Sequence, residues 1–234
     1  MSLQSDIAQR LADVQRRIAQ AARDAGRHPD DVRLIAVSKT FSIEHVRAAA
    51  DAGQQDFGEN RVQEALQKID GSADLRIRWH LIGTLQSNKV RRAVPRFDVI
   101  HSVDSIRLLE AIDHAAQEAG TTPELLVQVD LAGEATKHGA ACAEATEIVK
   151  TAAGCRAARL AGLMTIPPYF DDPERTRPYF AQLRELRSTL LQAGIQPQSL
   201  RELSMGMSHD FEIAVQEGAT IVRLGTAIFG TRHV

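Results

Sequence analysis

Five lysines stand against 23 arginines in this 234-residue chain, so each amine can be weighed singly. Lys39 ends the apolar run Val32-Arg33-Leu34-Ile35-Ala36-Val37-Ser38, which reads as a buried strand carrying one amine to its tip. A lysine held in a partly desolvated site loses its proton more readily and can condense with an aldehyde. The plainer alternative is a strand-end lysine directed into water. Lys68 and Lys150 fall in polar helical stretches and are expected to be solvated. Lys89 follows Ser87-Asn88 in a loop or early helix, and Lys137 sits in the polar run from Gly133 to Gly139.

A second set suits an anion. Ser204-Met205-Gly206-Met207-Ser208 follows one apolar run and opens a helix; Gly225-Thr226 follows the next and opens a short helical turn. Glycines allow close backbone approach, helix-opening amides favour negative charge, and hydroxyls add hydrogen bonds. Either turn alone reads equally as a cap. Between them lies Arg223, whose guanidinium keeps its charge at physiological pH. Beside a pyridine nitrogen it would keep that nitrogen unprotonated, because two cations repel; the alternative is an arginine bridging two strands. Asn60, His80 and Met164 also fall at strand ends. His80 reads as a ring contact or a satisfied core histidine, and Met164 as a site wall or a filler of the upper barrel. Trp79, one residue from His80, should face the other way. His209-Asp210 reads as capping chemistry, and the role of His101 is open.

Something must bring these positions together. Ile7, Leu11, Val14, Ile18 and Ala21 form the stripe of an amphipathic N-terminal helix. Beyond it, strand-like runs at 32–38, 54–57, 78–82, 98–102, 125–130, 158–164, 199–204 and 220–224 alternate with helical segments. The clearest of these are 42–52, 60–70, 104–119, 138–152, 174–193 and 208–217. Ser42 and Asp104 are placed to cap helices, and Gly53, Gly120, Gly194 and Gly218 to stop them. Eight strands alternating with helices predict an α/β chain of one domain, residues 1–234. That domain is a single (β/α)8 TIM-type barrel with an extra N-terminal helix. An open doubly wound sheet is the alternative. In a barrel the strand ends converge on one mouth, where Lys39, Asn60, His80, Met164, Ser204, Arg223, Gly225 and Thr226 make a plausible set for a phosphorylated aldehyde. The Pro167-Pro168 loop lies on that same face.

Composition narrows the partners. With 44% apolar residues the chain can bury a full core, and a net charge of −2 points to neither nucleic acid nor an anionic membrane. No apolar run approaches the roughly 20 residues that span a bilayer, and the N-terminus lacks the pattern of a signal peptide. Cys142 and Cys155 have no metal-type spacing and read as free thiols of a cytoplasmic protein. The strand ends lack the carboxylate–histidine cluster of a metal hydrolase.

The segments AVSKT (36–40), FGENRVQE (57–64), WHLIGTLQSNK (79–89), HSVDS (101–105), GLMTIPP (162–168) and LSMGMSHDFEIAVQEGATIVRLGTAIFG (203–230) carry a resemblance. Over essentially its whole length the chain resembles the pyridoxal 5′-phosphate homeostasis proteins, the YggS/PROSC family. Their barrel is similar to the N-terminal domain of alanine racemase, the fold type III arrangement. The resemblance implies that Lys39 holds pyridoxal 5′-phosphate (PLP) as a Schiff base and that Arg223 faces the pyridine nitrogen. It implies a phosphate grip of Ser204 with the backbone of Met205, Gly225 and Thr226, and Asn60, His80 and Met164 as cofactor-lining positions. Asp130 stands where relatives often carry asparagine. The implied role is vitamin B6 homeostasis and amino- and keto-acid balance, with PLP-dependent apoenzymes as partners and a monomeric or weakly dimeric state.

Racemases of this fold add a β-rich domain that supplies a tyrosine or cysteine to the second face of the substrate. With the chain ending at Val234, and Tyr169 and Tyr179 as its only tyrosines, efficient catalysis is not expected. Two rivals stand beside this reading: a small PLP-dependent racemase using Lys39 as base, and an interaction protein whose cofactor acts only as a sensor.

Overall fold

The computed structural model describes residues 2–133 and 138–231, so Lys137 lies outside the described residues. Eight parallel strands pair in chain order. They are β1 (Arg33–Val37), β2 (Asp56–Glu59), β3 (Arg78–Leu81), β4 (Val99–Val103), β5 (Glu124–Gln128), β6 (Arg159–Met164), β7 (Glu202–Ser204) and β8 (Ile221–Leu224). β8 pairs back onto β1, with Ile35 opposite Arg223, so the sheet closes into a barrel and the open-sheet alternative falls. Closure leaves no strand edge to be satisfied by water or a partner.

Around the barrel run α1 (Leu3–Asp24), α2 (Ile43–Asp51), α3 (Val62–Gly71), α4 (Val90–Ala93), α5 (Ile106–Ala119), α6 (Cys142–Ala152), α7 (Arg177–Gln192), α8 (Phe211–Gln216) and α9 (Thr226–Phe229). α1 is the extra helix. Ser2 caps it by accepting from the Ser5 amide, and it buries the stripe Ile7, Leu11, Val14, Ile18 and Ala21 read from the sequence. Each large aliphatic in that stripe contributes roughly 1.5–3 kcal/mol by leaving water.

Two predicted details are corrected. The cap of α5 is Ser105, not Asp104: the Ser105 hydroxyl accepts from the Leu108 amide, and the helix begins one residue later. The strand expected at 199–204 is only Glu202–Ser204, because Pro197 opens a 3-10 turn that runs to Leu200. Lys89 ends a 3-10 turn at Ser87–Lys89, which leads directly into the short α4.

Strand alternation sorts the side chains. Phe57, Trp79, Leu81, Ile100 and Leu203 belong to the large core between sheet and helices. Ile35, Val37, Ile82, Val99, Leu126, Met164 and Ile221 form a separate cluster inside the barrel. Barrel interiors are ordinarily filled with branched aliphatics. Here the aliphatics share the interior with buried Asp56, His80, His101, Ser204 and Arg223.

Candidate functional site at the barrel mouth

Lys39 stands two residues beyond β1 and is half-buried. Ile35 and Val37 face inward, and the same alternation carried past the strand sets Lys39 over the barrel axis. The chain turns immediately afterwards. Phe41 N–H donates to the Ser38 carbonyl at 3.0 Å, and Thr40 adopts φ +67°, a left-handed conformation uncommon for a residue with a branched side chain. The Thr40 amide is held by Glu64 Oε1 at 2.5 Å.

Behind this turn lies a buried ionic cluster, and it corrects the reading of Lys68 as solvated. Lys68, on α3, is only 6% exposed. Its ammonium donates to the Ser38 carbonyl (2.7 Å), Glu59 Oε1 (2.7 Å) and Glu64 Oε1 (2.8 Å). The Ser38 hydroxyl also donates to Glu59 Oε1 at 2.6 Å, while Glu59 Oε2 is buried without a partner. Burial pushes the Glu59 carboxyl above its usual range despite the Lys68 ammonium. The Glu64–Lys68 spacing on one helix face was a visible signal; the reach of that pair to the Lys39 turn was not.

The two predicted anion turns are joined. Ser208 Oγ accepts from the amides of Gly225 (3.2 Å) and Ala227 (3.4 Å), linking the loop after β7 to the start of α9. Gly206 has φ +92°, and a Cβ there would fall 2.5 Å from Ala214 Cβ and 3.1 Å from Phe211 Cα. A Cβ on Gly225 would stand 3.2 Å from the Val37 carbonyl. The Gly225 turn therefore lies against the very strand that delivers Lys39. Thr226 is exposed at the first position of α9.

Ser204 and Met205, expected in a phosphate grip, make other bonds within the chain. The Ser204 hydroxyl is fully buried inside the barrel, bonded to Arg223 Nη1 (2.6 Å) and His101 Nδ1 (3.0 Å). The Met205 amide is spent on the Ile221 carbonyl, and its side chain packs in the outer core. β7 ends at Ser204 with that side chain inward, and the hydroxyl that accepts from the Gly225 amide is that of Ser208.

Arg223 bridges elements as its alternative reading required: Nη1 to Ser204 and Nη2 to the Thr165 carbonyl at 3.0 Å. Among the described residues both partners are neutral oxygens. Burial lowers the Arg223 pKa to about 10, with Asp210 opposing. His80 is a satisfied core histidine, its Nδ1 meeting His101 Nε2 at 3.0 Å and its Nε2 meeting Asp56 Oδ1 at 2.8 Å. Burial lowers the pKa of His80 against the pull of Asp56, and lowers that of His101 much further. Trp79 packs outward against Phe57, as alternation required.

Met164 is fully buried in the interior aliphatic cluster. Asn60 lines a cleft of about 650 Å³ with Arg61, Gly83, Gln128, Asp130 and Ile166, among others. Asp130 follows β5 rather than ending it, and its Oδ1 accepts the amides of Ala132 and Gly133. Asp210 stands at the N-cap of α8 but its side chain makes no cap bond to that helix; its Oδ1 accepts instead from the Met207 amide at 2.7 Å, three residues earlier, which corrects the reading of it as capping chemistry. Among the described residues no group of histidine, cysteine and carboxylate side chains is arranged to hold a metal ion, and no helix is long and apolar enough to cross a membrane.

Residues 10–233 match the family model described as alanine racemase, N-terminal domain. The pyridoxal phosphate homeostasis protein of Aquifex aeolicus is 42% identical over 224 residues, covering 96% of this chain and 97% of its own. PipY of Synechococcus elongatus, solved with PLP bound, superposes with a TM-score of 0.85 at 43% identity, over 96% of this chain and 100% of that one. An alanine racemase of Clostridium difficile shares the fold at 14% identity and a TM-score of 0.72, with 58% of its length covered. On these matches, over nearly its whole length, the chain belongs to the family of pyridoxal phosphate homeostasis proteins, built on the alanine racemase N-terminal barrel.

Proposed function

We propose that this protein binds pyridoxal 5′-phosphate reversibly at the barrel mouth and serves intracellular vitamin B6 homeostasis rather than turnover of a substrate. One observation carries the reading: the Ser208-linked turns after β7 and β8 pack against the end of β1, two residues before Lys39. An anion cradle and a strand-end amine thus share one rim, as a phosphorylated aldehyde requires.

The roles follow from the chain's own groups. The Lys39 amine is the nucleophile for the aldehyde carbon, and the Ser38–Phe41 turn with its Lys68–Glu59–Glu64 backing sets its position. Exposed Thr226, Ser208 and the amides of Gly225 and Ala227 take the phosphate, with the Ser208 hydroxyl yielding those amides to it. Arg223 presents a fixed cation to the ring nitrogen and disfavours a proton there. Asn60 and Met164 border the ring, while Ser204 acts through Arg223. When bound, PLP supplies an electron-withdrawing ring, whose pull is weakest when its nitrogen carries no proton.

Two features favour carriage over catalysis. A ring kept unprotonated is a poor electron sink. Of the two tyrosines, Tyr179 stacks on Phe170 and Tyr169 lies 75% exposed on His209. The homeostasis name of the relatives agrees with this reading. Borohydride reduction of the PLP-loaded protein, followed by peptide mapping, tests it. A pyridoxyl group on the Lys39 peptide is expected, and label mainly on Lys89 or Lys137 would refute the assignment.

A further inference from the structure

Five side chains cross the barrel interior in an unbroken hydrogen-bonded line, from the mouth to the floor. Arg223 Nη1 meets Ser204 Oγ at 2.6 Å, Ser204 Oγ meets His101 Nδ1 at 3.0 Å, and His101 Nε2 meets His80 Nδ1 at 3.0 Å. His80 Nε2 then meets Asp56 Oδ1 at 2.8 Å, where Arg78 also pairs with the carboxylate. Every member is at most 8% exposed.

The two ends leave one order for the protons. A guanidinium only donates and a carboxylate only accepts. Arg223 therefore donates to Ser204, whose hydroxyl donates to His101 Nδ1. His101 Nε2–H donates to His80 Nδ1, and His80 Nε2–H donates to Asp56. Both imidazoles are then neutral and every atom in the line is satisfied. The reverse order would need a doubly protonated His80 and would leave the Ser204 proton without an acceptor. It would add a buried cation to an interior that already holds Arg223 and is flanked by Arg78 and Arg33, with Asp56 inside and Asp210 near Arg223 as the acids. Burial disfavours that state, as the lowered pKa values of both histidines record.

Such a line is costly to build. An interior of this kind packs readily with aliphatics, and buried polar groups must be fully matched merely to break even. What it does accomplish is to hold the Arg223 fork in a single orientation and to consume the Ser204 hydroxyl. We propose that His101, backed by His80 and Asp56, is a positioning residue that aims Arg223 at the ring of the bound cofactor. The proposal rests on PLP occupying the barrel mouth as set out above.

The test uses full-length protein. In the protein without PLP, nitrogen-15 NMR, assigned with His101→Gln and His80→Gln, should find both rings neutral and protonated on Nε2; an imidazolium at either position overturns the order. PLP is then titrated into the wild type, His101→Leu and His101→Gln. Glutamine can accept from Ser204 and donate to His80, so it should restore the line, whereas leucine cannot. His101→Leu should bind PLP about tenfold more weakly, the loss of about one contact, and shift both the near-visible band and its pH titration. His101→Gln should return toward the wild type. If His101→Leu fails to fold, Ser204→Ala cuts the line at the next link and should give the same shifts. A folded His101→Leu or Ser204→Ala with wild-type affinity, band and pH titration overturns the proposal, whatever its thermal stability. Failure of the wild type to carry a borohydride-fixed label on Lys39 would instead mark the cofactor reading itself as wrong.

Discussion

Replacing Lys68 with methionine separates a buried ionic device from a surface lysine. The ammonium makes three hydrogen bonds, at 2.7, 2.7 and 2.8 Å, to Ser38, Glu59 and Glu64. Without it, the fully buried Glu59 carboxylate keeps only the Ser38 hydroxyl as donor, because its Oε2 already lacks a partner. Breaking a buried pair by removing one member costs about 3–5 kcal/mol. For a chain of this length that corresponds to a fall in Tm of roughly 6–20 °C. The pH dependence has a definite sign. Burial already lifts the Glu59 carboxyl above its usual range, and loss of Lys68 lifts it further. Between the unfolded and the folded pKa the native state binds the extra proton, so stability falls as pH rises through that window. Urea denaturation should therefore show the Lys68→Met deficit largest near neutral pH and shrinking on acidification. Glu59→Gln added to Lys68→Met should recover part of it at neutral pH. A Lys68→Met protein within about 0.5 kcal/mol of the wild type at neutral pH, the range of an exposed surface substitution, would refute the reasoning.

Other consequences follow from the site and its frame. Pyridoxal lacking its phosphate should bind about two orders of magnitude more weakly than PLP, since two charge-assisted hydrogen bonds at about 1.5–3 kcal/mol each are lost. Equal affinities by fluorescence titration would remove the phosphate cradle, and Ser208→Ala or Thr226→Val should weaken PLP binding with the fold intact. Incubated with L-alanine or L-serine in deuterium oxide, the PLP-loaded protein should give slow Cα exchange with little inversion by chiral chromatography. Racemisation at about 1–1000 per second, the common enzymatic range, would establish catalysis instead. Asp113 accepts the amides of Arg156, Ala157 and Ala158 and the Gln117 side chain. Burial opposes its charge, but these donors hold its pKa below the usual value. Asp113→Ala should cost about 3 kcal/mol at neutral pH. The stabilisation is present above the unfolded carboxyl pKa of about 4 and is lost as pH falls through the folded one, so the difference should narrow in acid.

The sequence by itself determined the alternating α/β order of elements, while closure of the sheet was decided by β8 pairing back onto β1. Apolar runs of strand length, each followed by a helical period, bury both faces as a parallel sheet covered by helices, an order that a closed barrel and an open doubly wound sheet share. The stripe from Ile7 to Ala21 announced α1, and the run ending at Val37 placed Lys39 because a strand delivers its last residue to a defined end. Alternation of period two also separated Trp79 from His80, since that rule needs no tertiary knowledge. What the tertiary structure alone decided are the partners across strands. Asp56, His80, His101, Ser204 and Arg223 lie far apart in the chain, and their meeting depends on the stagger of a closed barrel. Ser204 thus meets Arg223 and His101 inside the barrel, while Ser208, four residues on, accepts from the Gly225 and Ala227 amides. Lys68 has the local pattern of a solvated helix lysine. Its burial is a property of how α3 lies over β2 and the Lys39 turn, where two carboxylates and a carbonyl make the cation worth enclosing.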